Sequence, residues 1–287
     1  MQAFSAFLKT ERQVSEATVL SYLQDLRRFA VFLGKDTETA QASDVDAFVL
    51  HMQSLGRSGA TIRRTLSALH IYYSYLIKAG KCTTDPTAQI ARPEGDHKLP
   101  QILTAEEAIR LLEAPEGDTA FSLRDRAMLE LLYATGITVS ELIGLRIENV
   151  NLRRRTLVLR HGKRQRTVVF GRPAAAALDA YIKKARPLLM QNGGDVALFI
   201  NCNGSSMSRQ GFWKLIKKYK ERAGIDKEIT PHMLRHSFAA HLLEGGADLG
   251  SLQEMMGFAD PTSTAIYTKI VENKIAEVYR KAHPRAN

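Results

Sequence analysis

Thr230-Pro-His232-Met-Leu-Arg235-His236-Ser-Phe-Ala-Ala-His241-Leu-Leu-Glu244-Gly-Gly246 is the stretch on which the reading of this chain turns. Threonine caps a helix N-terminus and proline fits its first turn, so a helix is predicted from Thr230-Pro231 to about Glu244, ended by two glycines. His232 and Arg235 stand three apart, which sends imidazole and guanidinium from one face. That face lies at the helix N-terminus, where free N–H groups and the macrodipole favour a phosphate. By itself HxxR more often belongs to a capped helix with a surface ion pair than to a reactive site. His236 and His241 read as packing or hydrogen-bonding residues. The surroundings have to decide.

Downstream, Asp248–Met256 reads as a helix stopped by Gly257, and Asp260-Pro261 opens another with Tyr267 near its end. Upstream, Ser208–Ala223 turns Phe212, Leu215, Ile216 and Tyr219 inward and Lys214, Lys217, Lys218 and Lys220 outward. Two β-rich runs, Thr156–Leu159 and Thr167–Phe170, flank His161-Gly-Lys163-Arg164-Gln165 and predict a hairpin with a basic tip. Ser122–Thr135 reads as a helix capped by Ser122 and Asp125, followed by Gly136 and a further helix. Thr104-Ala-Glu-Glu107 is a capping box.

The first hundred residues read as three amphipathic helices, Ser15–Gly34, Ser43–Leu55 and Ser58–Ala79, joined by short links into a bundle. Arg63 and Arg64 fall off the apolar face of the third, either as solvated arginines or as groove and phosphate contacts. Asp85–Pro100 contains Pro86, Pro93, Gly95 and Pro100 with almost no periodicity, the signature of a linker. The fold class expected is therefore mainly α with a small β-hairpin, in two domains: residues 1–84, a linker 85–103, and an α+β domain 104–287.

The chain has 287 residues, 45% of them hydrophobic, and carries a net charge of +10, from 40 basic and 30 acidic side chains. It is too apolar for a disordered chain, and two cysteines are too few for a disulfide scaffold. No apolar run approaches the roughly 18 residues of a membrane span. A soluble protein of the cytoplasm is expected. Residues 1–100 hold 12 of the basic and 10 of the acidic residues, so the surplus falls mainly on residues 101–287. A surplus of that kind attracts a polyanion, and nucleic acid is the usual one.

Taken in order, Tyr133-Ala-Thr-Gly136 with Ser140-Glu-Leu142, His232-x-x-Arg235-His-Ser-Phe, His241-Leu-Leu with Gly246-Ala-Asp248, and Ile266-Tyr267-Thr268 resemble the tyrosine recombinases of the phage-integrase family, in particular the Xer type. The likeness spans nearly the whole chain, with a SAM-like helical core-binding domain first and the catalytic domain after it. It implies site-specific recombination of double-stranded DNA, for chromosome-dimer resolution or mobile-element movement, by a homo- or hetero-tetramer on paired sites, associated with a bacterial-type nucleoid. Tyr267 would attack a phosphodiester to give a 3′-phosphotyrosyl link, and His232 would serve as acid/base. Arg235 would hold the non-bridging oxygens, and Lys163, within a residue or two, would protonate the leaving 5′-oxygen. Arg63, Arg64, Arg164 and Arg166 would contact DNA. No metal or other cofactor is implied. A helix at about 272–282 would dock into a neighbouring subunit.

Two positions depart from the family pattern. Thr138 occupies the slot of the first catalytic arginine, and Phe258 that of a histidine or tryptophan. Phe258 forfeits one N–H donor. Thr138 forfeits two donors and a charge, and loss of even one preorganised donor costs about 10²- to 10³-fold in rate. Three readings stand side by side: Thr138 is a deliberate replacement, a nearby arginine such as Arg146 substitutes, or the chain is a catalytically silent DNA binder. A type IB topoisomerase-like nicking-closing enzyme shares the chemistry, and a helical adaptor is the unrelated rival.

Overall fold

The computed structural model describes residues 1–93, 100–161, 164–190, 196–257 and 267–270. The chain divides into two compact units, Met1–Lys98 and Leu99–Asn287. No described helix is long and apolar enough to cross a membrane.

The first unit holds α1 (Gln2–Thr10), α2 (Glu16–Leu33), α3 (Ala42–Ser54) and α4 (Gly59–Lys78). Ser15 and Ser58 cap α2 and α4 by accepting N–H groups of Thr18 and Thr61, and Gly34 ends α2 in the left-handed region. The helix α1 is not evident from local periodicity. It is held from α4, where Tyr72 and Tyr75 pack on Phe4 with ring centroids 5.2 and 5.5 Å apart. The core also buries a carboxylate, Asp25, which receives Nε and Nη2 of Arg64 at 2.9 and 3.0 Å. Arg64, expected on DNA, thus ties α4 to α2. The neighbouring Arg63 donates Nη1 to the Pro93 carbonyl at 3.1 Å.

The second unit begins at α5 (Ala105–Glu113), capped by the Thr104–Glu107 box. It continues through α6 (Ala120–Thr135) and α7 (Val139–Gly144) into β1 (Val150–Asn151), β2 (Thr156–His161) and β3 (Arg164–Val169). The three strands form one antiparallel sheet in sequence order. Both hairpin strands extend to the tip beyond the β-rich runs. The N-cap of α6 is Thr119 and not Ser122, because the Thr119 hydroxyl accepts the Ser122 N–H and starts the helix earlier. Then follow α8 (Arg172–Ala180), a π turn Tyr181–Ala185, α9 (Arg186–Leu189), α10 (Arg209–Arg222), α11 (Pro231–Glu244) and α12 (Leu249–Met256). Caps at Ser208, Thr230 and Asp248 open the last three as read.

Asp125 is an anchor of α6, not a cap. Its Oδ1 accepts Nε and Nη2 of Arg124 at 2.8 and 2.7 Å, and its Oδ2 accepts the Tyr219 hydroxyl of α10 at 2.9 Å. Arg124 and Asp125 are both buried. Asp125→Ala strands the Arg124 charge and is expected to cost about 3–5 kcal/mol of stability. Urea unfolding measures it, and a midpoint unchanged from wild type would refute the anchor.

Candidate active site

The α11 cap works as its sequence implies: the Thr230 hydroxyl accepts the Met233 N–H at 3.1 Å, and Pro231 occupies the first turn. His232 is exposed, while Arg235, one turn on, is only 7% exposed. The Arg235 guanidinium reaches two helix ends at once. Its Nη1 donates to the carbonyl of Gly136, the C-cap of α6, and its Nη2 donates to Met256 O at 2.7 Å, at the last residue of α12. Carbonyls there have no partner within their own helix and carry the negative pole of the dipole, so a buried cation is well placed. Gly136 is required on two counts: its φ is +60°, and a Cβ would come within 2.3 Å of the Phe238 ring of α11.

Tyr267 is buried with Phe238, Ala239, Ala240, Leu252, Met256 and Ile270. Its hydroxyl lies 2.8 Å from Nδ1 of His236. Burial raises the phenol's pKa above its ordinary value and outweighs the opposing pull of Arg235. Burial, with the nearby His232 and Arg235, pushes His236 down to about 4, so the ring is neutral near pH 7. The phenol therefore rests protonated on an uncharged imidazole within this apolar packing. His241 is taken up elsewhere, between the Tyr133 hydroxyl at 2.7 Å and the Leu103 carbonyl at 3.0 Å.

Thr138 caps α7. Its hydroxyl accepts the Glu141 N–H at 3.2 Å, and its own N–H and hydroxyl donate to Glu141 Oε2 at 2.8 and 2.9 Å. The other oxygen, Oε1, binds Nη1 of Arg166 at 2.7 Å. Burial pushes Glu141 upward, but the hydrogen bonds from Arg166 and Thr138 prevail and hold it below the usual carboxylate range. Arg166, expected to contact DNA from the hairpin, is half-buried. Its Nε donates to Met255 O at 3.2 Å. Burial lowers the pKa of Arg235; Glu141 and Tyr267 oppose that shift and Arg166 adds to it, so all four groups share one electrostatic neighbourhood.

The structure thus brings together Tyr267, Arg235, His236, Glu141 and Arg166, with Thr138 bonded to Glu141. Lys163, Phe258 and residues 272–282 lie outside the described residues, as does the side chain of Arg164. Arg146 stands at the surface beside Glu148, 3.6 Å away. The local signal that marks Glu141 is Thr138-Val-Ser-Glu141, itself a capping-box word.

Residues 101–274 match the phage integrase family, and residues 1–80 match the phage integrase N-terminal SAM-like domain. The chain is 39% identical over 292 residues to tyrosine recombinase XerD of Halalkalibacterium halodurans, covering 100% of this chain and 98% of that one. It is 39% identical over 297 residues to tyrosine recombinase XerC of Pelotomaculum thermopropionicum, covering 99% and 97%. Among solved structures, a XerH site-specific recombinase bound to a palindromic difH substrate superposes with a TM-score of 0.78 at 23% identity, covering 96% of this chain and 84% of that one.

Proposed function

The chain belongs to the phage integrase family and is a tyrosine recombinase, a site-specific enzyme of DNA strand cleavage and rejoining; from that premise we propose how its own residues divide the work. Tyr267 is the nucleophile. Its oxygen bonds to the scissile phosphorus as the bond to the 5′-oxygen breaks, leaving a 3′-phosphotyrosyl link and a free 5′-hydroxyl. The phosphodiester energy is conserved in that link, so rejoining needs no high-energy cofactor.

Arg235 holds non-bridging oxygens as their charge builds. The observation that carries this reading is its position. A buried guanidinium, fixed by the ends of α6 and α12, shares one neighbourhood with the Tyr267 phenol. His232, exposed on the same helix, takes or returns the phenolic proton. Lys163 at the hairpin tip protonates the departing 5′-oxygen, and Phe258 adds an aromatic wall without a donor. Residues 1–84 and 104–287 grip duplex DNA as separate domains joined by 85–103. Four subunits, homo- or hetero-tetrameric, act on paired sites through the 272–282 segment, in the cytoplasm at the nucleoid.

The test is to incubate the chain with fragmented chromosomal DNA of its source, stop with SDS, and sequence the fragments held covalently. Adducts clustered at one short sequence are expected. A nicked duplex of that sequence should then accumulate a phosphotyrosyl product at Tyr267. Adducts on most sequences, with relaxation of any supercoiled plasmid, would favour a nicking-closing enzyme. Tight duplex binding with no adduct would make the chain a silent binder.

A further inference from the structure

Position 138 leaves the proposed site one cation short, and the structure contains a cation that no role above uses. Arg166 stands on β3 opposite Leu159 of β2. Its guanidinium passes over Gly257, where an added Cβ would lie 2.7 Å from Nη1 and 2.8 Å from Cζ. Gly257, at φ +68°, leaves that space open. Nε and Nη1 are engaged by the Met255 carbonyl and Glu141. Nη2 is buried and has no hydrogen-bond partner among the described residues.

A buried N–H group without an acceptor is unfavourable and uncommon, and it calls for an acceptor supplied from outside. The charges agree. Among the described residues, Arg166 and Arg235 repel each other and Glu141 offsets one of the two charges, which leaves this set of groups net positive beside Tyr267. An anion with several acceptor oxygens satisfies both the orphan donor and the excess charge.

We propose that Arg166 supplies the second guanidinium on the scissile phosphate, doing from β3 what an arginine at position 138 would do from α7. Nη2 donates to a non-bridging oxygen, and Arg235 holds the phosphate from the α11 side. Glu141 is a positioning residue: it fixes Nη1 so that Nη2 faces the anion. Thr138, too short to reach the phosphate, completes the hold on Glu141. This rests on the recombinase reading and adds to it the group that replaces the absent arginine.

The experiment measures single-turnover adduct formation on the nicked duplex recovered as above, for the wild type, Arg166→Ala, Arg166→Lys, Thr138→Arg and the double variant Thr138→Arg/Arg166→Ala. Arg166→Ala is expected to cleave about 10²- to 10³-fold more slowly, with duplex affinity little changed. Arg166→Lys keeps the charge without the fork and should fall between the two. Thr138→Arg should change the wild-type rate little but restore much of the loss in the double variant.

A second substrate carries methylphosphonate in place of the scissile phosphate. It lacks the charge that Arg166 would balance, so the Arg166→Ala deficit should shrink on it. An arginine that only shaped the fold would show the same deficit on both substrates. If Arg166→Ala fails to fold, Arg166→Lys compared on the two substrates carries the test. Wild-type rates in the Arg166 variants, or a deficit unmoved by methylphosphonate, overturn the proposal alone. A wild-type chain that forms no adduct on any DNA overturns the recombinase reading and this proposal with it.

Discussion

Tyr267→Phe should form no covalent adduct with DNA while binding duplex as the wild type does. The substitution removes one oxygen and keeps the ring, so the packing against Phe238, Leu252, Met256 and Ile270 survives. What it loses locally is the hydrogen bond to His236, a neutral partner, worth about 1 kcal/mol. What it loses chemically is the only group proposed to become bonded to phosphorus. Removal of an enzyme's nucleophile costs on the order of 10⁶-fold in turnover. The side chain is 1% exposed, so duplex affinity is expected not to depend on it. An SDS-resistant adduct that persists in the variant would mean another nucleophile, and mass spectrometry of the linked peptide would identify it.

The fold was legible in the sequence where local chemistry sets it. Serine, threonine or aspartate caps mark α2, α4, α5, α10, α11 and α12, and glycines at or just after the C-cap stop all of these but α5, because a helix end must satisfy its orphan groups with nearby residues. It was not legible where distant residues decide. Phe4, Phe7 and Leu8 make α1 a helix worth forming only because tyrosines of α4 wait for them. Two residues of β1 are too few to show a period. The helix through Tyr181–Ala185 carries a π turn just before Pro187, a local sequence that reads as a stop.

The candidate site divides in the same way. His232, Arg235 and Tyr267 can be singled out in the chain because their types and order are informative. The Glu141–Arg166 pair depends on where β3 begins. A strand that starts at Thr167 leaves Arg166 on a basic turn facing solvent. A strand that starts at Arg164 places Arg166 on the same face as Val168 and the following Phe170, both buried, and so points it into the protein. Three residues of strand length separate a surface contact from a half-buried cation paired with Glu141.

Arg235→Lys is expected to lose both activity and stability, and the two losses have different origins. The guanidinium now satisfies Gly136 O and Met256 O from its two ends, a span that a single ammonium cannot reproduce. One buried carbonyl is left without its partner, at a cost of about 1–3 kcal/mol, seen in urea unfolding. Cleavage should fall by about 10²- to 10³-fold in single turnover, because the fork that grips two phosphate oxygens in the transition state is gone. Duplex affinity should change far less, since that interaction strengthens only as charge builds on the phosphate. The double variant with Arg166→Ala adds the decisive comparison. Two guanidiniums that hold one phosphate act as a unit, so their combined loss should fall short of the product of the single losses. Losses that multiply would mean the two arginines act on separate events, and near-wild-type cleavage by Arg235→Lys would remove Arg235 from the phosphate altogether.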